Sequence, residues 1–187
     1  MNATVSQPDN RSAGHQRLVL DENAIGAAAR GLDEGAVTPS YGPGRGGGVK
    51  LLNDALATEL VCVLRYKRHY FTASGVSSPA IADEFLVHAN EESAHADRIA
   101  ERIVQLGGEP DFAPTHLLDR SHANYDESTD LQAMVRANLV AERIAVETYR
   151  QMINLIGDKV PPPLRMLEGI LSDEEEHADE LKDWLGH

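Results

Sequence analysis

An all-α four-helix bundle is the fold this chain predicts, and three observations carry it. Four segments repeat apolar residues at steps of three and four, the spacing that lays a stripe along one helix face. Of the three connections between these segments, two are a handful of residues long and the middle one runs for 20, from Glu109 to Ser128. No segment shows the two-residue alternation of a strand.

Residues 1–48 read as an N-terminal extension. Its first 20 or so residues are polar, Asp21 to Leu32 is an Ala-rich stretch suited to a short helix, and Gly42-Pro43-Gly44-Arg45-Gly46-Gly47-Gly48 interrupts regular structure. The bundle takes up 49–187. Its first helix is expected over about 49–73, with a seam of Leu52, Leu56, Glu59, Val63, Tyr66 and Tyr70. A second is expected over 78–106, with Ser78 as cap, Pro79 in the first turn and Gly107-Gly108 as the stop. Its seam runs Ile81, Phe85, His88, Glu92, His95, Ile99, Ile103 and Leu106. Thr129-x-x-Gln132 reads as a capping box opening a third helix over 129–156, ended by Gly157. Leu131, Val135, Asn138, Glu142, Ala145, Tyr149, Met152 and Ile156 form its seam. After Pro161-Pro162-Pro163 a fourth helix runs over 163–185, facing inward with Leu167, Ile170, Glu174, His177, Leu181 and Trp184.

Connection lengths set the topology. Each short link makes an antiparallel helix hairpin. A helix of ~26 residues is ~39 Å long, which an extended chain of ~12 residues already covers, so the 20-residue link can cross the whole bundle. The expected architecture is two hairpins joined by one long crossover between helices 2 and 3. The halves also echo one another. Glu59 to Glu92 is 33 residues and Glu142 to Glu174 is 32; Tyr66 and Tyr149 each follow the single glutamate by seven.

The seams carry acids where apolar residues belong. In order these are Glu59, then Glu92-x-x-His95, then Glu142, then Glu174-x-x-His177. Residues three apart share a helix face, so each pair aims a carboxylate and an imidazole at one point. Four desolvated carboxylates are prohibitively costly without partners or metal. Two divalent cations balance them to zero, and the two neutral imidazoles complete the shells. Oxygen and nitrogen donors without thiolate suit iron or manganese, with zinc admissible.

Composition excludes several classes. With 30 acidic and 17 basic residues the net charge is −13, which argues against a nucleic-acid surface. The single cysteine, Cys62, excludes an intrachain disulfide framework and a Cys-x-x-Cys metal module. No stretch approaches the ~18 apolar residues of a membrane span, and residues 1–16 have no basic patch followed by an apolar run. These features lead to the expectation of a cytoplasmic protein with no membrane partner.

On these motifs, residues 49 to about 185 resemble the bacterioferritin and ferritin-like di-iron family. The resemblance implies a ferritin-like fold in which Glu59, Glu92, His95, Glu142, Glu174 and His177 bind two iron ions per subunit, Glu92 and Glu174 bridging. It places Tyr66 beside the site and makes Glu91 and Asp173 acceptors that orient the histidines. Bacterioferritins hold haem through a methionine directly after the first motif glutamate; Ser93 stands there, so no haem is expected. Only ten residues follow His177, too few for the fifth helix of 24-subunit shells. The chain is most similar to Dps-like proteins with a bacterioferritin-type site inside each subunit, which implies a homo-oligomer of twelve. It departs from that branch in lacking a cysteine pair, and from DNA-coating Dps proteins in lacking a Lys-rich tail.

The function implied is a ferroxidase, oxidising iron(II) with dioxygen or hydrogen peroxide for iron storage and protection from oxidative stress, with all six ligands and Tyr66 taking part. The alternatives are a discrete di-metal peroxidase, catalase or oxygenase, and a non-catalytic role in which Tyr41–Arg45 docks the bundle on a partner and the metal is structural. Tyr149, like Tyr66, is read either as a hydrogen-bonding or electron-donating partner of the site or as a core residue. His88 reads as a buried, hydrogen-bonded histidine, with an extra ligand or an entry-path residue as the other reading. Cys62, Met152 and Trp184 are expected in the core.

Overall fold

The computed structural model describes residues 20–30, 33, 35, 37–39, 45–75, 77–156 and 161–186. The elements are α1 (Glu22–Ala28), α2 (Arg45–Thr72), α3 (Ser78–Gln105), α4 (Leu117–Arg120, preceded by a 3-10 turn over Pro114–His116), α5 (Leu131–Ile156) and α6 (Pro161–Trp184). α2 packs on α3 and α5 on α6, and the hairpins meet through α2 with α5 and α3 with α6. The four-helix, two-hairpin architecture is the expected one.

Local chemistry accounts for the ends of the helices, with five corrections. α1 is capped by Asp21, whose carboxylate accepts from the Asn23 and Ala24 amides, and it is shorter than the expected 21–32. α2 begins at Arg45, not Val49, taking in Gly46, Gly47 and Gly48. Each glycine costs about 1 kcal/mol relative to alanine, but a long helix anchored by packing continues through them because propagation is easier than nucleation. Ser78 does not cap α3; its hydroxyl donates to the Gly75 carbonyl, and Pro79 supplies the preset first turn. The capping box does not open α5, because Asp130 takes the role, its Oδ1 accepting from the Ala133 amide. The stop of α3 is as read. Gly107 adopts φ 72°, and the amides of Gly107 and Gly108 bond back to Val104 and Ile103, a Schellman arrangement. A side chain at Gly108 would also meet Val49 Cγ1 at 2.6 Å. The fourth helix, α6, begins at Pro161 rather than at 163, the three prolines forming its first turn because their fixed φ suits it and their missing N–H groups have no partner there. Gly157 and residues 1–19 lie outside the described residues.

The crossover runs along α2 and is pinned to it in order. Asn53 binds the Glu109 carbonyl and the Asp111 amide, Thr58 accepts from the His122 amide, and Arg65 donates to the Asn124 carbonyl. Arg68 then donates to the Glu127 and Ser128 carbonyls, and His69 pairs with Asp126. Leu117 of α4 closes over Ala57 and Val61. No periodic stripe foretold α4, whose single turn is too short for one.

Two apolar clusters fill the bundle, on either side of Glu59. One gathers Leu56, Ile99, Ile103, Tyr149 and Ile170; the other gathers Cys62, Tyr66, Phe85, Met134 and Leu181. Each fully buried large side chain contributes about 1.5–3 kcal/mol. Met152 and Cys62 are in the core as expected, but Trp184 is 41% exposed. From Leu181 the stripe steps four residues to Leu185, which packs on the core, rather than three to Trp184.

Candidate metal centre

Between the two clusters the structure brings all six sequence-predicted donors together. Glu59 comes from α2, Glu92 and His95 from α3, Glu142 from α5, Glu174 and His177 from α6, and none is more than 3% exposed. They form two overlapping sets: Glu59, Glu92, His95 and Glu174, and Glu92, Glu142, Glu174 and His177. Donor atoms within a set lie within 4.8 Å of one another. Glu92 and Glu174 belong to both, the place of a bridging carboxylate.

Each imidazole is held from behind. His95 Nε2 lies 3.1 Å from Asp173 Oδ2 and His177 Nε2 2.9 Å from Glu91 Oε2, which turns both Nδ1 atoms inward. His95 Nδ1 lies 3.4 Å from Glu59, 3.6 Å from Glu92 and 3.2 Å from Glu174; His177 Nδ1 lies 3.8–3.9 Å from Glu92, Glu142 and Glu174. Inside this ring Glu59 Oε2, Glu92 Oε1, His95 Nδ1, Glu142 Oε2, both Glu174 oxygens and His177 Nδ1 are buried without a hydrogen-bond partner. Buried polar atoms are nearly always satisfied, so seven unpartnered donors facing one point fit a pair of cations.

Electrostatics divides the carboxylates into two kinds. Burial, with the neighbouring carboxylates of Glu174 and Glu59, pushes Glu92 well above the usual range, and burial with Glu59 and Glu142 does the same to Glu174. Burial also opposes ionisation of Glu142, but His177 and the Arg65 guanidinium outweigh it and hold it at about 2. Glu59 is likewise lowered, burial being outweighed by bonding to Glu92 and His95. Burial disfavours charge on His95, yet the Glu59 and Glu92 carboxylates lift it to about 10; Glu142 and Glu91 raise His177 in the same way. Without metal the site thus favours protons on Glu92, Glu174 and the two imidazoles and negative charge on Glu59 and Glu142.

Tyr66 and Tyr149 are both buried and both bound to donors, each across the bundle: Tyr66 donates to Glu142 and Tyr149 to Glu59. His88 is fully buried and hydrogen-bonded, its Nδ1 3.1 Å from the Tyr66 hydroxyl and its Nε2 2.9 Å from Glu180. Burial and the neighbouring His177 lower its proton affinity. Inspection of the seams alone misses Arg65. It is 1% exposed, with Nε donating to Asn138 Oδ1, Nη1 to the Asn124 carbonyl and Nη2 to Cys62 Sγ, and its guanidinium lies 5.5 Å from the Tyr66 ring centroid. The available signal was a basic residue flanking the seam beside Tyr66, opposite Asn138, itself a polar residue in the third seam. The surface groove lined by Val140, Ile144 and Leu155 among others includes none of these donors.

A four-helix bundle whose core is a ring of carboxylates and imidazoles defines the class of helical carboxylate proteins. Within it this chain belongs to the ferritin-like domain family, whose pattern it matches over residues 49–187. A bacterioferritin of Brucella melitensis is 31% identical over 140 residues, 73% of this chain and 81% of that one. A nutrient stress-induced DNA-binding protein of Synechococcus sp. is 29% identical over 139 residues, 72% of this chain and 78% of that one. Among solved structures, the dodecameric thioferritin of Bacteroides fragilis, described as bacterioferritin-related, superposes with a TM-score of 0.73 at 29% identity, covering 76% of this chain and 86% of that one. Dps from Thermosynechococcus elongatus, at 18% identity and a TM-score of 0.71 over 75% of this chain and 90% of that one, shares the fold. Among the described residues no helix is long and apolar enough to cross a membrane.

Proposed function

We propose that the protein is a ferroxidase. Two iron(II) ions are its substrates, bound by Glu59, Glu92, His95, Glu142, Glu174 and His177, with Glu92 and Glu174 shared between them. The single observation that carries this reading is the set of seven buried, unpartnered donor atoms converging between the helices. Each iron(II) gives up one electron, and the pair reduces dioxygen to hydrogen peroxide, or hydrogen peroxide to two waters, with uptake of two protons. The chain's part is geometry and charge. Asp173 and Glu91 hold the imidazoles with Nδ1 inward, while the four carboxylates favour the more highly charged iron product. Tyr66 and Tyr149 donate to the two unshared carboxylates and fix their orientation.

The likeness to the dodecameric Bacteroides protein supports a homo-oligomeric cage, twelve-fold in this reading, that stores the iron(III) product as mineral in the cytoplasm and limits oxidative stress. Manganese or zinc would compete for the same donors. The net charge of −13 leaves DNA binding outside this reading.

Replacing Glu92 and His95 together by alanine should abolish rapid iron(II) oxidation, followed by absorbance of the iron(III) product, while the circular dichroism stays helical. Oxidation at the wild-type rate would overturn the assignment. Native mass with metal content then separates storage from a discrete di-metal peroxidase, catalase or oxygenase. A large assembly holding well over two irons per chain means storage, and a monomer or dimer with at most two means the discrete enzyme.

A further inference from the structure

We infer a third divalent-cation site, mononuclear and distinct from the dinuclear centre, formed by Glu84, His88 and Glu180 between α3 and α6. Tyr66 has one hydroxyl proton, and it is donated to Glu142. The Tyr66 oxygen can therefore only accept from His88 Nδ1, 3.1 Å away, which places a proton on Nδ1. In the neutral ring the lone pair is then on Nε2, and that atom points at Glu180 Oε2 at 2.9 Å and Glu84 Oε1 at 3.7 Å. With both carboxylates ionised, three acceptors meet there with no donor among them. The histidine has no exposed surface, Glu84 and Glu180 are only partly exposed, and the ligand atoms all lie within 4.8 Å of one another, so the cluster calls for a cation or a shared proton.

A metal ion meets that requirement better than a proton. One proton leaves the trio with a net charge of −1, whereas a divalent cation brings it to zero. An imidazolium at His88 would also stack on the His177 ring, 4.1 Å away and inclined by 22°. One imidazole and two carboxylates suit iron(II), manganese(II) or zinc(II). The bundle's internal repeat does not generate the cluster. At the matching positions of the other half stand Met166, Ile170 and Arg98, which offer neither carboxylate nor imidazole. The site opens outward through half-exposed Glu180 and ends inward one ring away from His177. An ion held there is poised between solvent and the centre. The site does not depend on the ferroxidase reading.

The test is a cobalt(II) titration of the metal-free full-length protein by calorimetry, beside two double variants. Glu84→Gln with Glu180→Gln removes the proposed site at two partly exposed positions, and Glu92→Gln with Glu174→Gln disables the dinuclear centre. Circular dichroism confirms that each is folded. The wild type should bind one more cobalt(II) per chain than the Glu84/Glu180 variant, and the Glu92/Glu174 variant should keep that one ion. Equal binding by the wild type and the Glu84/Glu180 variant would overturn the inference and assign the position to a proton. If the Glu92/Glu174 variant loses nothing while the Glu84/Glu180 variant still loses one ion, the dinuclear reading fails and the third site stands.

Discussion

Tyr66 and Tyr149 stand at matching positions of the two halves, seven residues after Glu59 and Glu142, and each donates to the carboxylate of the opposite half. Behind Tyr66 lie His88, four residues before Glu92, and Arg65, six after Glu59. Behind Tyr149 the matching residues are Ile170 and Thr148, and Ile170 and Tyr149 share one apolar cluster. Asn138, which accepts from Arg65, is matched by the core residue Ala55. The surroundings of Tyr66 are therefore polar, drawn from both halves, and reach solvent through Glu84 and Glu180, whereas Tyr149 packs among apolar residues. The donors facing the cavity are duplicated because any pair of cations makes the same demand on both halves. Residues one layer out meet no such demand, and there the halves differ.

The duplicated layer should give the largest effect. Cations must displace protons from His95, His177, Glu92 and Glu174, so affinity should rise steeply with pH, by about tenfold per pH unit for each proton released. Calorimetry in buffers of different ionisation enthalpy counts those protons; a pH-independent affinity would contradict the arrangement. The metal-free fold carries matching signs. His95, raised to about 10, contributes stability that is full below its usual 6.5 and lost as pH rises through about 10. Glu142, lowered to about 2, contributes stability present above its usual 4.5 and lost as pH falls through about 2. Raised Glu92 and Glu174 oppose folding as pH climbs above 4.5. Thermal unfolding of the metal-free protein should therefore show a maximum on the acid side of neutrality, and metal should add more stability at higher pH.

The outer layer should give smaller, one-sided effects. Arg65→Met strands the Asn138 and Asn124 oxygens and should lower the unfolding free energy by about 3 kcal/mol, whereas Thr148→Ala beside Tyr149 should cost about 0.5 kcal/mol. Denaturant titration of the pair tests the asymmetry, and equal losses would erase it. Next, Ile170→His places an imidazole where no partner waits and should cost about 2 kcal/mol, read from the same titration. A further effect should be symmetric. Glu91→Gln and Asp173→Asn each release one imidazole and should each weaken zinc(II) binding by roughly 10-fold. A large disparity between them would show that the two cation positions are not equivalent.

The linear chain already shows the four helices, the two hairpins with their long link, and the faces that carry Glu59, Glu92, His95, Glu142, Glu174 and His177. Those features rest on short-range periodicity and connection length, which a linear chain records directly. It did not reveal the start of α2 in its glycines, the exposure of Trp184 or the turn of α4, because packing and the end of a stripe settle these. Packing of the helices settles that each tyrosine crosses to the other half, which of Asp173 and Glu91 holds which imidazole, and that Arg65 is buried among neutral acceptors. Periodicity tells which side of a helix faces inward. Which atom of a neighbouring helix it meets depends on the register and rotation of packed helices, and those are properties of the assembled core.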